Sequence, residues 1–334
     1  MSLSLSPSES RLLITMGDVA GIGPEIIAKA WPELVAVGQC AVVGDCERLR
    51  WALEVTGCTA EVVRIDHPAN AAASTHSIPC LNASELSLTE VRPGQVHAAA
   101  GRAAYDFLCA AIDWTCSGAA DAIVTAPLHK EGLRAAGLEY PGHTEILGKR
   151  TGTESFGMVL YCNGLAVVHV TLHMALRDVF PHITIENVLA KIQLLDALLP
   201  RLIGRRPRLG VAALNPHASD GGLFGDEEET ILKPAVIQAQ NDGSIVSGPW
   251  PSDALFVRGR AGEFDGIVAM YHDQGHIALK LMGGRRAVNI SAGLPIVRTS
   301  VAHGTAYDIA GTGKADPSSL VAAAHVAARL ASRR

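Results

Sequence analysis

Short apolar runs alternate with longer segments in which apolar residues recur every three to four positions. The runs predict buried strands, and the longer segments predict amphipathic helices. The clearest predicted strands are 12–15, 41–45 and 121–127, and the clearest predicted helices are 101–117 and 318–330. Because strands and helices alternate along the whole chain, the pattern predicts an α/β fold with a mostly parallel sheet and helices on both faces.

Three further predicted strands each end shortly before a histidine. These pairs are 165–171 with His173, 209–214 with His217, and 265–271 with His272. Ligands bind at the carboxyl ends of parallel strands, so three such imidazoles can converge on one divalent cation. A single histidine at a strand end is more often a hydrogen-bonded structural residue. From the residues alone, both interpretations stay open.

A glycine-rich turn at residues 17–25 follows the first predicted strand. Its glycines have the order G-x-x-x-G-x-G, whereas a dinucleotide-binding turn has G-x-G-x-x-G. Glycine is also needed wherever a strand turns tightly into a helix, so a steric role and a ligand contact are equally good interpretations.

Two segments favour an anionic ligand. Residues 141–145 open a predicted helix, where His143, Thr144 and the first backbone amides can face an anion, although a threonine-based helix cap would look the same. Lys280, Asn289 and Arg298 are spaced along a mostly apolar stretch. Charged groups in such surroundings need partners, and these are either an anionic substrate or ordinary salt bridges.

Composition narrows the class of protein. With 334 residues, of which 48% are hydrophobic, the chain can bury a large core and is expected to form two domains. A net charge of −5 and an aromatic content of 4% argue against a nucleic-acid partner. The seven cysteines show no C-x-x-C pair, which argues against a thiolate zinc site and a disulfide framework. Residues 1–10 lack signal-peptide features and no long apolar stretch exists, so we expect a cytoplasmic protein without a membrane segment.

Five segments together resemble the 4-hydroxythreonine-4-phosphate dehydrogenase (PdxA) family. They are 15–25, 141–145, 214–218, 271–275 and 298–306. They occur in the family's order and at family-like spacing, and the resemblance extends from about Arg11 to Leu320.

This resemblance implies a role for each matching position. The implied metal ligands are His173, His217 and His272, and the implied substrate-binding residues are His143, Thr144, Lys280, Asn289 and Arg298. It also implies a homodimer with the active site at its interface. Asp273 and Lys280 are the candidate catalytic residues, and Asp273 could be a base, an extra metal ligand or an orienting partner of His272.

Residues 303–317 resemble the adenosine-binding loop of isopropylmalate and isocitrate dehydrogenases, which bind NAD without the dinucleotide-binding turn. The candidate cofactor-binding residues are His303, Gly304, Asp308 and Asp316. The resemblance implies the two-domain α/β/α sandwich of those enzymes. We expect a discontinuous nucleotide-binding domain (1–135 plus 275–334) and a metal, substrate and dimerisation domain (136–274).

The implied activity is NAD- or NADP-dependent oxidation of the C3 hydroxyl of 4-phosphooxy-L-threonine, followed by decarboxylation, as in pyridoxal 5'-phosphate biosynthesis. A divalent ion (Zn, Mg, Co or Mn) would acidify that hydroxyl and stabilise the enolate formed on decarboxylation. Three departures from the commonest pattern, Val19, Ala126 and His276, instead resemble the branch that oxidises 4-phospho-D-threonate or 4-phospho-D-erythronate to dihydroxyacetone phosphate. A metal-dependent hydrolase and a phosphotransacetylase-like transferase are alternatives from other classes.

Overall fold

The computed structural model describes residues 9–333, apart from the side chain of residue 285. The strands within this range are β1 (Arg11–Thr15), β2 (Gln39–Gly44), β3 (Glu61–Ile65), β4 (Ser77–Asn82), β5 (Ala122–Thr125), β6 (Gly157–Cys162), β7 (Leu165–His169), β8 (Leu209–Ala212), β9 (Val246–Trp250), β10 (Gly266–Ala269), β11 (Val288–Ala292) and β12 (Val297–Val301).

The α-helices of the same range are α1 (Gly23–Val37), α2 (Cys46–Thr56), α3 (Ala98–Cys116), α4 (Lys130–Ala135), α5 (His143–Thr151), α6 (Ile185–Ile203), α7 (Lys233–Asn241), α8 (Ser252–Arg260), α9 (His272–Gly283) and α10 (Ser318–Ala331). A short π-helix, Glu228–Leu232, leads directly into α7. None of the helices described here is both long and apolar enough to cross a lipid bilayer.

The first compact unit contains residues 9–156 and 294–333. Its six strands form a fully parallel sheet in the order β3-β4-β2-β1-β5-β12. Helices α1 and α10 pack against each other and against this sheet, and α3 packs against β1, β2 and β5 as well as against α4 and α5. The continuous apolar run of β1 is explained by this arrangement, because Leu12, Leu13 and Ile14 are all buried.

The second compact unit, residues 157–293, has the strand order β11-β6-β7-β10-β8-β9. Strand β6 is antiparallel to both of its neighbours, whereas β7, β10, β8 and β9 run parallel. The three strands that precede the candidate metal ligands are therefore adjacent, with β10 in the middle. The predicted α/β class with a mostly parallel sheet is confirmed.

The boundaries of the two units correct the predicted ones. Helix α5 packs on α3 and so belongs to the first unit, although it was expected in the second domain. Helix α9 packs on β6 and β7 and so belongs to the second unit. As a result, His143 and Thr144 share a unit with Arg298, whereas Lys280 and Asn289 share a unit with the three candidate metal ligands.

Candidate active-site residues

Four histidine side chains lie close together in the second unit. His169 is the last residue of β7, His272 is the first residue of α9, and His276 lies one helical turn later. The rings of His272 and His276 are stacked, with centroids 3.8 Å apart and planes 13° apart. The ring of His173 lies 5.9 Å from that of His272. Two of the three predicted metal ligands are therefore neighbours.

The buried rings of His169 and His276 both lie next to the ring of His272. Nδ1 of His276 lies 3.2 Å from Nε2 of His169, which is hydrogen-bond distance. Burial lowers the pKa of His169 to about 3, and burial together with the charge of His272 lowers the pKa of His276 to about 4. Both rings are neutral at pH 7, so they support His272 without adding positive charge beside a cation site.

Asp273 fixes one nitrogen of the His272 ring. Its Oδ1 lies 2.6 Å from Nδ1 of His272, although the carboxylate itself is exposed. If Nδ1 carries the proton, Nε2 is left available to coordinate a metal. Of the three roles considered for Asp273, this contact favours the orienting partner.

His217 is held on an unusual turn and its side chain is exposed. Within residues 9–333, no group of three or more His, Cys, Asp or Glu side chains is placed to hold a metal ion. A single chain thus brings together His173 and His272 but does not complete a three-histidine site. The three-histidine metal set stays a prediction.

A cavity of about 350 Å³ opens beside the histidines of the second unit. It is lined by Leu172, His173, Met174, Leu176, Val179, Tyr271, His272 and Asp273. Its volume is at the lower end of the range for small-molecule sites, and its wall combines apolar side chains with a few polar groups, which is typical of such sites.

Lys280 and Asn289 occupy different positions in the same unit. Lys280 is exposed on α9, and its charge contributes to the lowered pKa of His276, so it lies near the histidine cluster. Asn289 lies in β11, and its buried Oδ1 has no hydrogen-bond partner among the described residues. A buried acceptor of this kind is available to a ligand.

In the first unit, Arg298 is a buried cation. Its side chain is 2% exposed, and Nη2 donates a hydrogen bond to Oγ1 of Thr125 at 2.6 Å. Burial lowers the pKa of Arg298 to about 9, partly opposed by the charge of Glu145, so the guanidinium keeps its charge at neutral pH. A buried cation that keeps its charge is well suited to bind an anion.

The amino-terminal end of α5 lies close to this cation. His143 is the first residue of α5 and Thr144 the second, and no side chain caps the helix at Gly142. Burial, and then the charge of Arg298, lower the pKa of His143 well below its ordinary value, which keeps the ring neutral. The structure thus brings together three of the five predicted substrate-binding residues at a helix end that favours negative charge.

The candidate cofactor loop belongs to the first unit, and its predicted residues are placed unequally. His303, Gly304 and Asp308 are exposed. Asp316, in contrast, accepts hydrogen bonds from the backbone N–H and the Oγ of Ser318 at 2.9 and 2.6 Å, so its carboxylate fixes the start of α10. A cofactor-binding role for these residues stays a prediction.

The glycine-rich turn at residues 17–25 holds this loop in place. Asp18 is fully buried and accepts hydrogen bonds from Ala20 N and from the hydroxyl of Tyr307, each at 2.8 Å. Glu25 is also fully buried and accepts hydrogen bonds from the backbone N–H groups of Gly311 and Gly313. The carboxylates of this turn therefore have a structural role.

Sequence reasoning missed several residues at these sites. His169 and Asp18 were not singled out, Glu25 was considered only as an acidic residue at the start of the first helix, and His276 was noted only as a departure from the family pattern. The available signals were a histidine at the end of an apolar run and an i,i+4 pair of histidines, His272 and His276, on one helix face.

Comparison with known proteins decides the family. The family described as "Pyridoxal phosphate biosynthetic protein PdxA" matches residues 36–327. The chain belongs to this family.

Individual relatives of this PdxA-family chain are similar over nearly their full length. D-threonate 4-phosphate dehydrogenase of Pectobacterium atrosepticum is 45% identical, over 96% of this chain and 99% of the relative. 4-hydroxythreonine-4-phosphate dehydrogenase of Beijerinckia indica is 44% identical, over 96% and 94%. A crystal structure of 4-hydroxythreonine-4-phosphate dehydrogenase from Klebsiella pneumoniae superposes with a TM-score of 0.87 at 44% identity, over 96% of this chain and 99% of that chain.

These findings confirm the predicted family and the predicted enzyme class, an oxidoreductase that acts on a CH–OH group. The hydrolase and transferase alternatives gain no support from them. The two curated relatives carry different substrate names at nearly equal identity, so identity does not separate the two substrate branches.

Proposed function

We propose that this PdxA-family chain oxidises the C3 hydroxyl of a four-carbon phosphorylated acid with NAD or NADP, and that loss of carbon dioxide follows. The observation that carries the proposal is the anion site of the first unit, where the buried guanidinium of Arg298 lies near His143 at the uncapped start of α5. A phosphate or carboxylate group has the charge and the acceptor oxygens that this site needs.

The metal is proposed to bind to His173, His217 and His272. The chemistry of the donors fits, because neutral imidazoles are ordinary ligands of divalent transition metals. Two rings bound tetrahedrally to one ion would have centroids roughly 5 Å apart, estimated from a metal–nitrogen distance of about 2.1 Å. The separation of 5.9 Å between His173 and His272 is near that value. Because one chain does not complete the set, the third ligand would come from a second copy in a homodimer.

The proposed roles of the neighbouring groups follow from their contacts. A divalent ion bound there would acidify the substrate hydroxyl and stabilise the negative charge that develops on decarboxylation. Asp273 would hold the His272 ring in the tautomer that binds metal. Lys280, exposed on α9 near the histidines, would hold or move the proton that leaves the hydroxyl. Asn289 would accept a hydrogen bond from the substrate through its buried Oδ1.

The cofactor is proposed to bind at residues 303–316, where it would accept the hydride. The exposed His303, Gly304 and Asp308 would contact it. Glu25 would hold the loop in one conformation through its hydrogen bonds to the backbone of Gly311 and Gly313. On this proposal, cofactor recognition would belong to the first unit and metal binding to the second.

For the substrate, 4-phospho-D-threonate is the first candidate and 4-phosphooxy-L-threonine the second. Three departures, Val19, Ala126 and His276, resemble the D-threonate branch. His276 does not line the cavity and instead packs beneath His272, so it would act on substrate choice only through that ring.

The test is an assay of the full chain with NAD or NADP, a divalent metal and each of the two phosphorylated acids in turn. We expect NADH or NADPH to form together with carbon dioxide, and to form faster with 4-phospho-D-threonate. Arg298→Ala should abolish most of this activity, whereas Arg150→Ala, which removes a surface guanidinium paired with Asp113, should not. Absence of reduced cofactor with both acids would overturn the proposal.

A further inference from the structure

The turn that carries His217 has an energetically unfavourable backbone. His217, Ala218, Ser219 and Asp220 have φ values of 55°, 54°, 60° and 46°, and Gly221 and Gly222 continue the left-handed run. Residues other than glycine rarely adopt this region, because Cβ approaches the following carbonyl oxygen. Among the described residues, this turn holds four of the six non-glycine positions with positive φ, the others being Asn163 and Ala306.

The buried carboxylate of Glu228 contacts the residues that lead into this turn. Glu228 is 1% exposed, and its Oε1 accepts hydrogen bonds from the backbone N–H groups of Leu214 at 2.9 Å and Asn215 at 2.7 Å. Its Oε2 accepts a third hydrogen bond from Nδ2 of Asn215 at 3.0 Å. These contacts fix two of the four residues, 213–216, that connect β8 to the left-handed turn.

The position of Glu228 in the chain is also unusual. It is the first residue of the π-helix Glu228–Leu232, which ends where α7 begins. A π-helix has i→i+5 hydrogen bonds in place of the i→i+4 bonds of an α-helix. Single π-helical turns are rare and occur frequently at functional sites. Strained backbone persists only where surrounding contacts hold it in place. The hydrogen bonds of Glu228 are contacts of this kind for the turn at residues 217–220.

We propose that Glu228 is a positioning residue, whose carboxylate fixes the left-handed turn so that His217 is presented for metal binding. The residue does not itself bind metal or substrate. This inference rests on the proposed function, because it takes His217 to be a metal ligand.

The first experiment measures metal affinity directly. The full chain is titrated with Co²⁺, and binding is followed by the visible absorption of the bound ion. Glu228→Leu removes all three acceptor contacts and should weaken Co²⁺ binding roughly 100-fold, whereas Glu228→Gln keeps one carbonyl oxygen and should weaken it roughly 10-fold. Glu229→Gln is the matched control, because Glu229 is adjacent but pairs with Lys233 at the surface.

A second readout needs no metal. Amide hydrogen exchange of residues 209–232 in the metal-free chain should be slow in the parent protein and in Glu229→Gln, and faster in both Glu228 variants. If Glu228→Leu does not fold, Asn215→Ala removes the donor to Oε2 of Glu228 and leaves the two backbone contacts to Oε1 in place. The same amide also donates to Glu227, so Glu227→Gln is measured beside it as the control for that second contact.

The double variant Ala218→Gly/Glu228→Gln distinguishes a positioning role of Glu228 from a role in stability alone. Ala218→Gly relieves part of the strain and should restore the melting temperature of Glu228→Gln without restoring its Co²⁺ affinity. If the affinity returns together with the melting temperature, or if Glu228→Gln and Glu229→Gln bind Co²⁺ equally well, Glu228 is not a positioning residue. If His217→Ala leaves Co²⁺ affinity unchanged, the proposed ligand set has failed, which is a different result.

Discussion

Each unit has a buried glutamate whose carboxylate accepts hydrogen bonds from the backbone of a loop. The two loops differ in backbone strain. Glu25 in the first unit and Glu228 in the second each accept two backbone N–H groups from a loop that carries candidate ligands. In the first unit, the positive φ angles next to the carboxylate fall on glycines, 80° at Gly311 and 70° at Gly313. In the second unit, the run of positive φ angles begins with four residues that are not glycine.

The difference shows how each loop is specified. Glycine adopts positive φ at little steric cost, so residues 311–313 need the carboxylate mainly to choose one conformation among several. Lys29 adds to this choice, because its Nζ donates to the carbonyl groups of Gly313 and Ala315. Residues 217–220 adopt a conformation that costs about 1–2 kcal/mol per residue, so contacts elsewhere must offset the strain.

The largest expected effect separates the chemistry of the two units. His217→Ala should lower kcat by about 1,000-fold or more, because a catalytic metal contributes several kcal/mol to transition-state stabilisation. The dissociation constant for NAD, measured by fluorescence titration, should be unchanged, since the candidate cofactor loop lies in the first unit. His325→Ala, which changes an exposed position on α10, should leave both quantities unchanged. Equal loss of turnover and of NAD affinity would contradict the division of roles.

The next effect compares the carboxylates themselves. Glu25→Gln should lower the free energy of unfolding by about 2–3 kcal/mol, because each oxygen of Glu25 accepts one backbone N–H and the new amide group cannot accept the second. Glu228→Gln should cost less, because both backbone N–H groups use Oε1, which glutamine can supply. Urea denaturation measures both. Glu25→Gln should also raise the KM for the cofactor more than it lowers kcat.

The control for this pair is Glu47→Gln, since Glu47 is exposed and pairs with Arg50 on α2. A larger loss of stability in Glu228→Gln than in Glu25→Gln would show that strain in the second loop, not the number of lost acceptors, decides the cost.

A smaller effect is expected from replacing a glycine in the loop that Glu25 holds. Gly313→Ala should destabilise the chain by about 1–2 kcal/mol, because its φ of 70° is unfavourable for alanine and the new Cβ would lie 2.9 Å from the carbonyl oxygen of Val55. Gly57→Ala has nearly the same φ, 69°, but its Cβ would meet nothing within 4 Å. The difference in denaturation midpoint between the two variants measures the close approach alone, and equal midpoints would show that it has no cost.

The smallest effect has the opposite sign. Ala218→Gly should stabilise the chain by roughly 0.5–1 kcal/mol, because it relieves an unfavourable φ of 54° and loses some of that gain to the greater freedom of glycine in the unfolded chain. Ala261→Gly, at a φ of −74°, should destabilise instead. A destabilised Ala218→Gly variant would show that the left-handed turn is not strained.

Most of the fold could be predicted from apolar periodicity. The run 12–15 became β1, the segment 318–330 became most of α10, and the three strands before the histidines proved to be adjacent. The domain boundaries could not be predicted in the same way, because α5 and α9 are assigned to units by what they pack against, and periodicity does not report that.

The candidate site was predictable only in part. Motif spacing identified Arg298, His143 and His272 as candidates, because each occurs at a recognisable place in the chain. It did not find Glu25 and Glu228, because a glutamate in a helix looks the same in sequence whether it faces water or a loop distant in sequence.

The sequence by itself determined the α/β class, the family and which histidines, arginine and loop carry the candidate chemistry. These follow from local patterns, since periodicity, turn chemistry and motif spacing depend on neighbours in the chain. Only the tertiary structure decided that Asp18 and Glu25 support the candidate cofactor loop from nearly 300 residues away and that Glu228 holds a left-handed turn at His217. Hydrogen bonds of this kind form when folding removes water from groups that are distant in sequence, so no local pattern can encode them.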